Sequence, residues 1–254
     1  MSIFSFEKEL LANKPQFKIN ALSSPDIALL NSMGVSNSSV LLANCCIWVE
    51  GISDRIYLKR YLELLQEYGP VDRPYFEDLH YAFLEFGGNQ VVHYDFSEEG
   101  NKKSINALKI TNKLMLIHDR DHSKDKRHAW LTKQLGDRYY SLNALETENL
   151  LSPEVLKRTL GTFKKNGVAE LAVKEFSHAD YLMKPIGEFI LNVVEGGQLK
   201  VISSPGAGKQ TAKLLNKAEF ARAAILQMYS WEDLSEQAQN LALKVLEFIK
   251  AHNK

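Results

Sequence analysis

The chain has 254 residues, 45% of them apolar and 24% charged, the proportions of a soluble globular protein with a sizeable core. Lysine plus arginine equals aspartate plus glutamate at 31 each; a protein that holds nucleic acid by counterion release alone would be basic, so any such grip has to be local, metal-mediated or supplied by a partner. No stretch approaches the roughly 20 apolar residues a membrane span needs, and Met1 to Glu9 lacks the basic start and apolar run of a signal peptide. This excludes a membrane class and makes the cytoplasm the expected location.

In chain order, residues 1–40 are mixed in character and predict a lead-in or connector. The stretch from Ala21 to Asp26 is loop-like, with Ser24 as cap and Pro25 as first residue of a short helix over 25–30. Cys45 and Cys46 are the only cysteines; they sit in an apolar run without metal-ligand spacing and predict two buried core thiols in reducing surroundings. Cys45 to Val49 reads as a buried parallel strand. Glu50 to Asp54 breaks it, and Arg55 to Glu67 carries Ile56, Tyr57, Tyr61, Leu62, Leu64 and Leu65 at near-helical spacing.

The pattern then recurs. Tyr81 to Phe86 predicts a second strand, ended by Gly87, Gly88 and Asn89. Lys113 to His118 predicts a third, ended by Asp119, Arg120 and Asp121, and Arg138 to Leu142 a fourth. Strands alternating with helical segments argue for an α/β fold, a Rossmann-like parallel sheet flanked by helices. Ser152, Pro153 and Glu154 open a helix over 155–163. Residues 170–195 read as mainly helical and Ser203 to Gly208 as a loop. Lys217 to Met228 and Ser235 to His252 form two closing helices. The apolar face of the last, with Leu241, Leu243, Val245, Leu246, Phe248 and Ile249, either covers the sheet or makes a homodimer contact. The chain thus divides into a lead-in (1–40), an α/β core (41–160) and a helical C-terminal part (161–254).

Acids stand where such a sheet binds ligands, outside the carboxyl ends of its strands. Glu50 follows the first strand, and Asp119 and Asp121 the third. Residues two apart in extended chain point the same way, so both aspartates would face one site. Carboxylates this close raise one another's pKa, and a divalent cation removes the conflict. Oxygen donors suit magnesium or manganese, and two such ions would stabilise both the attacking and the leaving oxygen of an in-line phosphoryl displacement. His118 faces the opposite side of its strand and reads as structural. Asp54 reads equally as a helix cap.

The stretch from Val49 to Asp54 resembles the first Toprim motif, and Ile117 to Asp121 the second. Toprim domains occur in topoisomerases, primases and nucleases. Ala43 to Leu58 is similar to the entry into the nuclease half of OLD-family (overcoming lysogenization defect) endonucleases. Phe86 to Asn89 resembles a glycine turn of that family, Leu145 to Leu151 its Glu-x-Glu-Asn segment, and Lys217 to Ala221 its late Lys-x-x-x-Ala element. The resemblance covers roughly residues 40–225 and keeps the motif order. It implies that Glu50, Asp54, Asp119 and Asp121 hold one metal ion, that Asp119 or Asp121 with Glu146 or Glu148 holds a second, and that Lys217 sets positive charge near the scissile phosphate. It also implies DNA as substrate, Glu50 as a group available for proton transfer, and a role in defence against phage or other foreign DNA.

There are departures. His122 to Asp125 follow the second motif where many Toprim domains have a glycine. OLD-type enzymes carry a preceding ATPase domain that this chain lacks, which implies a separate ATPase subunit of OLD or ABC type, or a standalone or truncated nuclease module. Gly206 to Gln210 misses the phosphate-loop pattern at Ser203 and Gln210 and reads as a flexible loop. Lys102-Lys103, Lys124 to His128 and Lys164-Lys165 are small basic clusters, the second able to touch a phosphate backbone. Trp130 and Trp231 read as packing residues. Two other readings stand beside the nuclease: a primase- or topoisomerase-like enzyme, and a non-catalytic binding or regulatory module.

Overall fold

The computed structural model describes residues 3–11, 14–22, 43–69, 71–87, 94–96, 105–107, 111, 113–120, 125–166, 170–195, 199–203 and 212–254. The elements are β1 (Ile3–Leu11), β2 (Lys14–Leu22), β3 (Cys46–Val49), α1 (Ile52–Tyr68), β4 (Ala82–Glu85), β5 (Tyr94–Asp95), β6 (Ile105–Asn106), β7 (Leu114–His118), α2 (Asp125–Leu135), β8 (Tyr139–Ser141), α3 (Pro153–Thr162), α4 (Ile186–Val193), β9 (Ile202–Ser203), β10 (Lys213–Leu214), α5 (Lys217–Ile225) and α6 (Glu236–Ala251).

The four strands read from the apolar runs form one sheet in the order β4-β3-β7-β8, parallel throughout. Cys46 pairs with Ala82 on one side and Leu114 on the other, and Leu116 pairs with Tyr139. Every residue of β3 and β7 is buried, as a parallel sheet covered on both faces requires. Successive side chains point to opposite faces. Ile47, Val49, Phe83, Met115 and Ile117 join the core that runs through α1, α3, α5 and α6. Cys46, Trp48, Ala82, Leu84, Leu114 and Leu116 join Leu131 and Leu135 of α2, with Phe86, Phe96 and Ala107. Trp48, fully buried, meets Phe96 edge to face at 5.9 Å. This is a Rossmann-like α/β sheet with helices on both faces and a helical C-terminal part. Among the described residues no helix is long and apolar enough to cross a membrane.

The C-terminal helices close on α1. Both α5 and α6 pack against it, and Leu241, Val245, Leu246 and Ile249 of α6 lie in the core that contains Tyr57, Tyr61 and Leu65 of α1. The predicted cap is present at Ser152, whose Oγ accepts from Val155 N at 3.3 Å ahead of α3, and Ser235 Oγ likewise accepts from Ala238 N at 3.2 Å ahead of α6. The Ser235 hydroxyl also donates to Leu150 O at 2.6 Å, tying α6 to the turn that ends at Leu150. Cys45 and Cys46 are buried and free of disulfides. Burial pushes both thiols up to about 12, which keeps them protonated and poorly nucleophilic near neutral pH.

Two expectations change. The lead-in holds an antiparallel hairpin, with β1 paired to β2 from Ile3–Leu22 to Leu11–Lys14. The signal in the sequence was period-two alternation, at Phe4 and Phe6 and again at Phe17, Ile19 and Ala21. The helix over 25–30 lies outside the described residues. Within residues 170–195 helix is confined to His178–Asp180, α4 and Glu195. Val173 instead pairs with Val194 in an antiparallel bridge, with Lys174 N donating to Val193 O at 2.9 Å and Glu195 N to Ala172 O at 3.2 Å. Tertiary pairing overrides the helical propensity of the Ala- and Glu-rich stretch. Of the Ser203 to Gly208 loop, Ser203 is in β9, paired with β10, and the remainder lies outside the described residues.

Candidate functional site

The strand order sets the site. Counting only the strands of the main sheet, the chain runs from the first strand (β3) outward to the second (β4), returns to the other side of the first for the third (β7), then adds the fourth (β8). The direction reverses between β3 and β7, and ligands of open α/β sheets bind at such a switch point, outside the carboxyl ends of the strands. Glu50 leaves β3 there, and Asp119 leaves β7.

The backbone around Glu50 is tied to the end of β4. Phe86 N donates to Val49 O at 3.0 Å, and Gly87 N donates to Glu50 O at 2.8 Å. Gly87 has φ +64°, a left-handed conformation that suits glycine. Gly51 caps α1 in an extended conformation, and its N–H donates to Asp54 Oδ2 at 2.8 Å. Asp54 is therefore the helix cap foreseen as its plainer role, in the first turn where the helix dipole favours an anion. It is also a buried carboxyl within the electrostatic reach of Glu50 and Lys217. Burial raises its pKa, and the Glu50 charge adds to the rise. Hydrogen bonds from Thr147 and Gly51, and the charge of Lys217, work against it.

Asp119 faces the same space. Its Oδ1 accepts from Thr147 Oγ1 at 3.3 Å. Its carboxyl is held well above the usual range, first by burial and then by Asp54, Glu50 and Glu148, with Lys217 opposing. His118, directly before it, is buried, stacks on Phe86 at 6.0 Å and sets Nδ1 2.9 Å from Asp119 O. That is the structural role expected of it.

The Glu146 to Leu151 segment brings the other acids in. Thr147–Leu150 form one 3₁₀ turn, pinned by the fully buried Asn149. Asn149 Oδ1 accepts from Glu146 N at 3.0 Å, and its Nδ2 donates to Tyr181 O at 2.5 Å and Lys184 O at 2.9 Å. The turn points Glu148 inward, with no solvent exposure, where burial pushes its carboxyl up to about 7; Lys217 resists, and Asp54 and Glu146 add to the rise. Lys217, the first residue of α5, reaches over from the other side. Its Nζ lies 3.0 Å from Glu146 Oε2 and 3.1 Å from Glu148 Oε2. Burial works against the ammonium, but Glu148, Glu146 and Asp119 outweigh it and hold its pKa above the ordinary lysine value. Glu148 Oε1 is buried and accepts no hydrogen bond from another described residue.

Of the predicted site residues, Glu50, Asp54, Asp119, Glu146, Glu148 and Lys217 thus meet in one electrostatic cluster. Asp121 lies outside the described residues. Three contributors were not singled out from the sequence. Thr147 sits within hydrogen-bonding reach of both Asp54 and Asp119. Tyr57 and Tyr61, one turn apart on α1, have buried hydroxyls with no described hydrogen-bond partner, within electrostatic reach of Glu148 and Asp54. Their aromatic, helix-periodic positions carry the signal of core residues and no signal of a site. Arg55, next to Asp54 in sequence, is held elsewhere: its Nη2 lies 2.6 Å from Glu77 and its Nη1 3.4 Å from Glu85.

The donor set is all oxygen, which suits magnesium or manganese, and the orphaned Glu148 Oε1 is a buried acceptor without a donor. Among the described residues, however, no three His, Cys, Asp or Glu side chains are drawn together tightly enough to hold a metal ion. The cation that joins Glu146 to Glu148 is Lys217.

Fold and site define a Rossmann-like α/β protein with an acidic centre and one embedded lysine at the switch point of its sheet. Comparison with family models, curated proteins and solved structures returns no match.

Proposed function

We propose that the chain is a metal-dependent DNA endonuclease of the Toprim kind, similar to the nuclease part of OLD-family enzymes and acting in the cytoplasm. The observation that carries this reading is the crowding at Asp119, whose carboxyl is destabilised as an anion by burial and by Asp54, Glu50 and Glu148 together. Strongly perturbed carboxyls are commoner at functional sites than elsewhere. Folding this cluster costs stability, and a divalent cation would recover it.

In this reading Glu50, Asp54, Asp119 and Asp121 would hold one ion, and Asp119 or Asp121 with Glu146 or Glu148 a second; such ions would supply charge neutralisation for an in-line displacement at phosphorus. Glu50, half-buried at the strand end, is available for proton transfer where it is not fully committed to metal. Lys217 contributes positive charge beside the phosphate as charge builds on it. Thr147 orients Asp119 through the 3.3 Å hydrogen bond. With a zero net charge, the ions and a separate ATPase subunit supply the grip on DNA that a basic surface supplies elsewhere. Defence against foreign DNA is the biological setting that the resemblance suggests.

The test compares wild type with Asp119→Ala and Glu50→Ala for plasmid nicking in magnesium and in manganese. Loss of cleavage in both variants is expected; unaltered cleavage in both removes the site from consideration. A second reading draws on the double ion pair of Lys217, which already neutralises part of the cluster: a binding or regulatory module without catalysis. DNA binding with no cleavage in either metal supports that alternative.

A further inference from the structure

A second constellation lies away from the acidic centre, against the far half of α1. Lys59, Glu63 and Gln66 stand on one stripe of that helix. The loop over 74–78 runs across from them, and between the two lies a cleft of about 500 Å³, within the range of small-ligand sites. The loop is held in shape. Tyr75 N donates to Gln66 Oε1 at 2.5 Å, which ties it to the helix. Phe76 N donates to His80 Nδ1, and His80 N to Phe76 O, each at 2.9 Å. These bonds fix Phe76 on the wall of the cleft with 56% of it exposed. Tyr75 and Tyr81, both buried, line it as well.

The charge of the lining is one-sided: Glu63, Glu77 and Asp78 against Lys59. Glu77 is already matched, by Lys59 at 2.7 Å and Arg55 at 2.6 Å. Glu63 meets Arg60 loosely at 3.6 Å, and Asp78 has no ion-pair partner among the described residues. Tyr81 is 3% exposed, yet its hydroxyl has no hydrogen-bond partner among the described residues, and Glu77, Glu63 and Asp78 lie within its electrostatic reach. A buried hydroxyl left unpaired costs stability until a group in the cleft pairs with it. Phosphate is repelled by a lining of net negative charge. A bare metal ion needs converging ligands, and among the described residues no three such side chains are grouped to hold one. Aromatic faces beside loosely paired carboxylates match a diffuse organic cation.

We propose that the cleft between α1 and the loop over 74–78 binds a guanidinium or ammonium group carried on an apolar stem, supplied by a free amine or by an arginine side chain of a peptide. The charged head is drawn to Asp78 and Glu63, the Tyr81 hydroxyl accepts one of its N–H groups, and the stem packs on Phe76. The cleft is separate from the acidic centre, and its occupancy does not depend on the nuclease reading.

The experiment uses the full chain in chelator. Agmatine is the probe for a free amine and N-acetyl-Gly-Arg-Gly-amide the probe for a peptide, with pentanol as the uncharged control. Saturation transfer from protein to ligand in proton NMR reads binding. Both probes should bind with a Kd of about 1 mM or below. Asp78→Asn and Glu63→Gln should each weaken agmatine by about threefold to fivefold, the size of one partly exposed charge contact, and together by about tenfold. Phe76→Ala should weaken it by about threefold. All three residues are exposed, and asparagine tolerates the left-handed backbone of Asp78, φ +66°, so the variants keep the fold. A peptide that binds more tightly than agmatine places the cation on a partner chain; equal or weaker binding assigns the cleft to a free amine, and either supports the site. No transfer to either probe at about 10 mM, affinities that the acid variants leave unchanged, or equal transfer to pentanol overturns it.

Discussion

The ammonium of Lys217 stands 3.1 Å from Oε2 of Glu148, a carboxylate with no exposure to solvent, across 69 residues of chain. A buried acid met by a half-exposed base is a lopsided pair: the acid has lost its water, the base has not. Removing the base leaves the acid to carry its burial alone, whereas removing both removes the problem. In chelator, Lys217→Met should lower unfolding stability by about 2 kcal/mol, and adding Glu148→Gln should restore most of it. Urea denaturation of wild type, both singles and the double closes the cycle. Additive single effects would mean that the two side chains do not interact in solution.

Asp119 pays for its position in the metal-free protein. Its carboxyl is crowded by Asp54, Glu50 and Glu148 as well as buried, and Asn has the same shape without the charge. Asp119→Asn should therefore raise the melting temperature in chelator, by an amount equivalent to about 1 kcal/mol, while abolishing cleavage. In wild type, added magnesium should raise the melting temperature and in the variant do so less. A variant that is less stable than wild type in chelator argues that Asp119 is held by contacts stronger than the repulsion.

How much of this was legible in the sequence follows from where each force acts. The strands β3 and β7 were legible because a parallel strand buried on both faces must be apolar at every position, and the acids stand out where those runs stop. Their partners in space were not. That β7 lies beside β3, putting Asp119 next to Asp54, depends on the order β4-β3-β7-β8, which long-range pairing decides. Glu148 and Lys217 were reached through family resemblance, since a buried glutamate in a turn has no local pattern of its own. Thr147 and the phenols of Tyr57 and Tyr61 gave no signal, being ordinary residues at ordinary positions. The bridge between Val173 and Val194 was misread as helix because local composition says nothing about a partner 21 positions away.

The triangle of Arg55, Lys59 and Glu77 makes a pH dependence away from the acidic centre. Burial pushes the Glu77 carboxyl up, but hydrogen bonds from Lys59 and Arg55, and their charges, outweigh it and hold it below its ordinary 4.5. A carboxyl depressed by folding stabilises the native state above its unfolded pKa and loses that contribution as pH falls through the folded value. Wild type should therefore be more stable than Glu77→Gln at neutral pH. The gap should shrink as pH drops below about 4.5 and vanish once Glu77 is protonated. Parallel guanidinium unfolding curves from pH 7 to pH 3 measure it; a gap that stays constant with pH assigns the effect to packing.

Two glycines beside Glu50 separate structure from function. Gly87 takes φ +64° and donates to Glu50 O at 2.8 Å, so Gly87→Ala is strained at the backbone and should cost about 1–2 kcal/mol of stability. Gly51 is extended, with φ −158°, and a Cβ built on it meets nothing within 4 Å. Its place as N-cap of α1 is itself a reason for glycine, which is favoured over alanine at that position, and the absence of a side chain also leaves the backbone after Glu50 open to a ligand. Gly51→Ala should cost about 1 kcal/mol as a lost N-cap, less than unfolds the protein, yet cleave DNA at least tenfold more slowly, with KM raised more than kcat is lowered. Melting curves and plasmid-nicking kinetics of the two variants decide the point. A Gly51→Ala protein with undiminished cleavage would move the phosphate away from the turn after β3 and toward the Lys217 side of the cluster.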